Sequence, residues 1–286
     1  MPTPTQNLAQ HAVAEKIYRQ VRAVLNAEGI EHLVLKGPHL ASVAYEKPWE
    51  RGFNDLDLLV RAGEFERAVD ALVDSGFSRR EPPRGRQATI AAAYDRNLLA
   101  PDGSVVEVHR AFAPYRLYPL DYDALFERAV DFRFGGTPAR GLSAADLLVH
   151  LVIHAAKSQF ALIESKHVRD VAAVVNSMAL DWPLFREQTA RAGCRSAAWV
   201  LLGAGARAQG AAVPDEILSA LRPGPVRRWW IDRWIARNRF PMLRRTRFPK
   251  PLRRILLAPV LADRIGQVLR AAVRFAGVRG KDWVNG

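Results

Sequence analysis

The sequence predicts a mixed α/β domain over residues 1–140 followed by helices. Before Ser143 the apolar residues recur with both the strand period of two and the helix period of 3.6, and after it with the helix period alone. Glycine and proline fall mostly at the joints between these segments. Pro101-Asp102-Gly103, set between two apolar alternations, marks a hairpin and therefore a sheet.

Each element follows from local chemistry. Leu8, Ala12, Val13, Ile17, Val21, Val24 and Leu25 share one helical face, and the helix ends before Gly29. His32–Leu35 is a short strand stopped by Lys36-Gly37-Pro38, and Pro38 suits the first turn of a helix running to about Tyr45. Leu56–Val60 is a second strand, Glu64–Ser75 a helix closed by Gly76, and Phe77–Glu81 a third short strand. Strands around Asn97–Ala100 and Val105–His109 flank the hairpin turn. Helices follow over 144–160, 165–178, 183–192, 196–209 and 215–221, with Phe134-Gly-Gly-Thr-Pro138 as the junction between the two textures. The expected organisation is an α/β domain at 1–140, a helical domain at 141–221 and a basic extension at 222–286.

Composition excludes several classes. With 286 residues, 49% hydrophobic and 25% charged, the chain buries a core and is not a disordered polymer. Its one cysteine, Cys194, forms neither an internal disulfide nor a cysteine metal cluster, which suits a reducing compartment and a buried, inert thiol. The start, MPTPTQNLAQ, lacks a signal-peptide pattern, and the longest interior run without Asp, Glu, Lys or Arg is the 11 residues Ser196–Ala206, short of the ~20 that a membrane span requires. A cytoplasmic protein is expected, peripheral at a membrane surface if its tail binds there. The net charge of +13 is uneven: residues 222–286 hold 17 Lys and Arg against three acids, so the rest of the chain is close to neutral. Arginines there interleave with Trp229, Trp230, Trp234, Phe240 and Phe248, a pattern that suits RNA, an anionic membrane, or a solvated face with inward tryptophans. Leu252–Phe275 continues as an amphipathic helix.

The stretch richest in chemistry is Arg51-Gly-Phe-Asn-Asp55-Leu-Asp57-Leu-Leu-Val60. On a strand, Asp55 and Asp57 share a face, and two carboxylates in one space either sit at a solvated strand end or take a cation such as Mg²⁺. Glu107 and His109 share a face of another strand; Glu107 joins the aspartates if the two strands are neighbours, and His109 contacts substrate or orients the carboxylate. Lys36 and Gly37 sit where a helix opens toward an anion, and Arg51 either grips a phosphate or pairs with the acids. His150 and His154, one helical turn apart, lack the glutamate of a zinc-protease motif and read as packing residues; Asp170 reads as a salt-bridge partner.

Leu33-Val-Leu-Lys-Gly-Pro38, Tyr45, Arg51, Asp55-Leu-Asp57-Leu-Leu-Val60, Gly76-Phe77, Glu107-Val-His109, Leu147-Leu-Val-His-Leu-Val-Ile-His154 and Arg169-Asp170-Val-Ala together resemble the uncharacterised nucleotidyltransferase family of the DNA polymerase β-like superfamily. The resemblance covers residues 30–178 and implies a mixed β-sheet flanked by helices, an NTP held through two Mg²⁺ ions, and transfer of a nucleoside monophosphate to an acceptor: a small molecule, a peptide or an RNA. By that resemblance Asp55, Asp57 and Glu107 hold the metals, Glu107 also receives the acceptor proton, and Lys36, Gly37 and Arg51 meet the nucleotide. Where the superfamily has Gly-Ser or Gly-Gly, this chain has Lys36-Gly37-Pro38, and the proline removes one backbone donor. The rival expectation is a silent domain of the same fold that scaffolds an anionic partner. Neither acceptor, preferred NTP nor oligomeric state is legible in the residues.

Overall fold

A computed structural model of the chain describes residues 4–80, 94–113, 117–157, 166–238, 262–264, 266–267 and 269. Two compact units emerge. One comprises residues 1–112, 121–147 and 177–179; the other comprises 113–120, 148–176 and 180–286.

The first unit is built on a seven-stranded mixed sheet. Its strands are β1 (His32–Val34), β2 (Asp55–Val60), β3 (Ser78–Arg79), β4 (Asp95–Leu99), β5 (Val105–His109), β6 (Val130–Phe134) and β7 (Thr137–Gly141), in the spatial order β3-β4-β5-β2-β1-β7-β6. Adjacent strands are antiparallel except β2 with β5 and β1 with β7, which are parallel. Helices α1 (Pro4–Ala27), α2 (Lys36–Val43), α3 (Phe65–Asp74) and α4 (Tyr122–Glu127) complete it. Alternation on β2 and β5 sends Leu56, Leu58, Val106 and Val108 into the core, where they meet Ile17, Tyr18, Val21 and Leu25 of α1 and Phe65, Val69 and Leu72 of α3. The opposite face of the same strands is thereby free for polar side chains.

Helix α2 begins at Lys36, two residues earlier than the proline suggested. Glycine is required beside it, because a Cβ on Gly37 would lie 3.0 Å from Phe53 Cβ, so the first turn of α2 packs directly on the segment entering β2. Helix α3 ends as expected at a glycine in the left-handed region, Gly76 at φ 103°.

The β6–β7 hairpin and α4 were not expected. The stretch 134–138, expected as a junction, is the turn of that hairpin. Polar Asp131, Arg133 and Arg140 and an in-strand Pro138 hide the pair from pattern reading, and β7 tolerates the proline because it pairs with β1 at a single position, Val34 with Gly141.

The second unit is helical. Helix α5 (Ala144–Lys157) starts in the first unit and ends in the second, which adds α6 (Val168–Ser177), α7 (Trp182–Ala192), α8 (Arg195–Gln209), α9 (Asp215–Leu221) and α10 (Pro225–Asn238). Asp263 caps α8 from a distance, accepting from the Arg195 and Ser196 backbone N–H groups at 2.6 and 3.0 Å and from Arg227 at 3.0 Å. Gln267 donates to the Ala192 carbonyl at 2.7 Å. Parts of the basic extension therefore hold the helical unit together. Phe240, Phe248 and most of the expected 252–275 helix lie outside the described residues. Among the described residues, no helix is long and apolar enough to cross a membrane.

His39 of α2 is fully buried, neither ring nitrogen has a hydrogen-bond partner among the described residues, and its ring lies 4.7 Å from Phe132. Burial pushes its pKa down to about 3. The folded state keeps this imidazole neutral while the unfolded chain protonates it near pH 6.5, so stability is full above pH 6.5 and falls as the pH drops toward 3. Burial lowers His11 and His32 as well. The expected slope for His39 alone is roughly 1 kcal/mol per pH unit in that window, and His39→Leu should flatten the pH dependence of urea unfolding by that amount. An unaltered slope in the variant would show that His39 is protonated in the fold.

Candidate active site

The site lies on the polar face of β2 and β5. These strands run parallel with Asp57 opposite Glu107 and Leu59 opposite His109. Paired positions place side chains on one face, so Asp55 and Asp57 of β2 share a surface with Glu107 and His109 of β5. The expected adjacency of the strands is met.

Asp57 is fully buried at the centre of this surface. Its Oδ1 accepts from Lys36 Nζ at 2.6 Å and is 3.0 Å from His109 Nε2, which also lies 3.4 Å from Glu107 Oε2. Backbone geometry delivers the lysine: the β1–β2 ladder continues one step past Val34, where the Leu35 N–H donates to the Asp57 carbonyl at 2.9 Å, and the next residue is Lys36. Burial alone would raise the Asp57 pKa, yet the Lys36 ammonium and the His109 ring hold its carboxyl well below the usual range. Burial would depress Lys36, but Asp57, Asp55 and Glu107 reverse that and hold it protonated. His109 is raised by the same opposition, with Asp57 and Glu107 outweighing burial.

The remaining predicted residues are placed as follows. Asp55 is half-buried at the first position of β2, close enough to Lys36 to act on its charge. Gly37 is the close-approach residue beneath the first turn of α2. Arg51 is buried; its guanidinium donates to the Gly52 carbonyl and its own carbonyl accepts from His11 Nε2 of α1 at 3.1 Å.

Two residues on β4 and its approach escaped sequence reasoning. The hairpin register sets Asn97 opposite Glu107 and Asp95 opposite His109, which puts a further, buried carboxylate on the polar face. Tyr94 immediately precedes Asp95, its ring 6.3 Å from that of His109, and burial first, then Asp95 and Glu107, push its hydroxyl pKa far up. Counting back from the Pro101-Asp102-Gly103 turn would have found both.

Asp57, Glu107 and His109 each offer one ligand atom within 4.8 Å of the others, an arrangement able to hold a metal ion. Asp57 Oδ2 is buried and lacks a hydrogen-bond partner among the described residues. An acceptor left open beside a second carboxylate fits a hard divalent cation, which would satisfy it. Among the described residues no other such cluster occurs. In the second unit the rings of His150 and His154 are 6.3 Å apart and those of His154 and His167 are 5.0 Å apart. Cys194 is fully buried, and burial pushes its thiol pKa up, consistent with an inert role.

No curated protein matches the chain by sequence. Solved structures of similar shape include the antibiotic-resistance factor ANT(2″)-Ia, at 14% identity and TM-score 0.44 over 67% of this chain and 96% of that one. The lincomycin-bound lincosamide antibiotic adenylyltransferase LnuA aligns at 13% identity and TM-score 0.34 over 47% and 84% of the two chains. An antigenic nucleotidyltransferase-like protein from Paracoccidioides brasiliensis aligns at 14% identity and TM-score 0.41 over 75% and 91%. The sequence profile of one family, described as an uncharacterised nucleotidyltransferase, matches residues 4–206, a span that includes both site strands, Lys36 and the helices α5 to α7. The chain belongs to that uncharacterised nucleotidyltransferase family.

Proposed function

We propose that the chain transfers a nucleoside monophosphate from an NTP to an acceptor hydroxyl or amine, with Asp55, Asp57 and Glu107 as its acidic centre. The observation that carries this is the register of Asp57 beside Glu107 on parallel strands, with one buried carboxylate oxygen left open. Divalent ions bound there, two Mg²⁺ by family likeness, would supply charge neutralisation for the triphosphate and its pyrophosphate leaving group. Asp57 holds its place through His109 and Lys36 and stays ionised throughout the working pH range. Glu107, less buried than Asp57, is reached by solvent and accepts the acceptor's proton. Lys36 and Gly37 at the first turn of α2, with Arg51, bind the nucleotide phosphates. The test is incubation with each labelled NTP, Mg²⁺ and a cell lysate: metal-dependent pyrophosphate release with label in a new product is expected. Binding of NTP without turnover under all these conditions would favour the scaffold reading instead.

The basic extension gives this domain an anionic surface to work on, RNA or an anionic membrane. Val226 and Trp229 of α10 are 80% and 58% exposed, and the Arg233 guanidinium lies 5.6 Å from the Trp229 ring centre. Because Asp263 and Gln267 belong to the helical unit, removing everything from Arg222 would damage that unit. A better test replaces Arg239, Arg244, Arg245, Arg247, Arg253 and Arg254 by Gln. The variant should keep NTP turnover on a small acceptor and lose affinity for RNA or anionic vesicles, with the wild-type log affinity falling linearly in log salt. A blue shift of tryptophan fluorescence on vesicles alone would select the membrane; equal binding by wild type and variant would remove the tail from the account.

A further inference from the structure

Lys36 does more in this structure than wait for a phosphate. Its ammonium lies 2.6 Å from Asp57 Oδ1, the oxygen that also faces His109, at the Asp57, Glu107 and His109 set able to hold a metal ion. Its side chain is 15% exposed against 0% for Asp57, so the lysine keeps some contact with solvent while the aspartate has none. The position is built in, because the Leu35 N–H to Asp57 carbonyl bond fixes the lysine backbone directly beside the aspartate.

We propose that Lys36 is a resident counter-cation that occupies the acidic centre in the absence of metal, competes with the incoming divalent ion, and is released by it toward the anionic substrate. The proposal rests on the metal-dependent reading above and adds a regulation of the same site.

Three physical points carry it. Asp55, Asp57 and Glu107 would repel one another around an empty centre, and Asp57 is fully buried from solvent, so the fold favours a positive charge there. A lysine is suited to that duty, being a compact charge on a flexible stem that can withdraw without moving the backbone. A divalent ion carries twice the charge, and Asp57 Oδ2, which has no hydrogen-bond partner among the described residues, is an acceptor that such an ion would satisfy. Once displaced, the ammonium stays tethered at the first turn of α2, where the same residue serves the triphosphate. Occupation of the centre by Lys36 would thus make metal affinity weak until substrate offers the lysine a second partner, coupling metal and nucleotide binding.

The experiment is Mn²⁺ binding to the intact protein without nucleotide, followed by the electron paramagnetic resonance signal of free Mn²⁺, with melting temperature in chelator as a second readout. Lys36→Met should bind Mn²⁺ about tenfold or more tightly than wild type, melt lower in chelator, and gain more from added Mn²⁺. Lys36→Arg, which keeps the charge, should restore weak Mn²⁺ binding and the melting temperature in chelator. If Lys36→Met does not fold, Lys36→Gln carries the same test, since its amide still hydrogen-bonds Asp57 without a charge. Mn²⁺ binding to the neutral variant no tighter than to wild type overturns the proposal while leaving the metal site standing. Absence of Mn²⁺ binding in wild type and neutral variants alike overturns the metal reading together with it.

Discussion

Asp57→Asn is expected to lose turnover by at least about 10²- to 10³-fold, the scale of removing one preorganised charged group from a reacting centre, and also to lose stability. Sequence alone suggests the opposite sign for stability, since deleting one of two crowded acids relieves repulsion. The structure changes the expectation because Asp57 is fully buried and is the shared partner of Lys36 and His109. Neutralising it leaves the mostly buried Lys36 ammonium short of its counter-charge and the buried His109 ring short of its partner, a loss of about 1–3 kcal/mol. Asp55→Asn provides the contrast: half-buried at the strand entrance, it should lose activity with little change in melting temperature. Comparing the two variants in chelator by thermal unfolding checks this. A stabilised Asp57→Asn protein would mean that Lys36 and His109 do not depend on the carboxylate.

Glu107→Gln should lower turnover by about 10²- to 10⁴-fold, the usual contribution of a positioned general base, while changing NTP affinity only a few-fold. The separation follows from geometry. Glu107 is 24% exposed where Asp57 is fully buried, and His109 approaches it at 3.4 Å, so the chain leaves this carboxylate accessible to an incoming acceptor. Single-turnover kinetics beside nucleotide titration distinguishes loss of the chemical step from loss of binding. Equal falls in both would make Glu107 chiefly a holder of metal and nucleotide.

The acidic centre was legible in the sequence because it rests on a period of two: Asp55 and Asp57, and Glu107 and His109, are each two residues apart on strands whose apolar partners face the core. What remained hidden depends on register between distant segments. Lys36 reaches Asp57 across a separation of 21 residues, and Asp95 faces His109 through a hairpin register that only counting back from the Pro101-Asp102-Gly103 turn gives. The β6–β7 hairpin was hidden for a different reason. Its residues are chosen for close packing rather than hydrophobicity: a Cβ on Gly141 would lie 2.6 Å from the His39 ring, so the glycine there makes room for a buried histidine instead of marking a loop.

The most direct measurement uses one NTP labelled separately at the α- and γ-phosphates, supplied with Mg²⁺ and the acceptor recovered from lysate. Nucleotidyl transfer predicts that the α label appears in the acceptor and the γ label in pyrophosphate, with both signals lost in Asp55→Asn. Appearance of the γ label in the acceptor, with the α label retained in a nucleoside diphosphate, would contradict the account and make the protein a phosphotransferase.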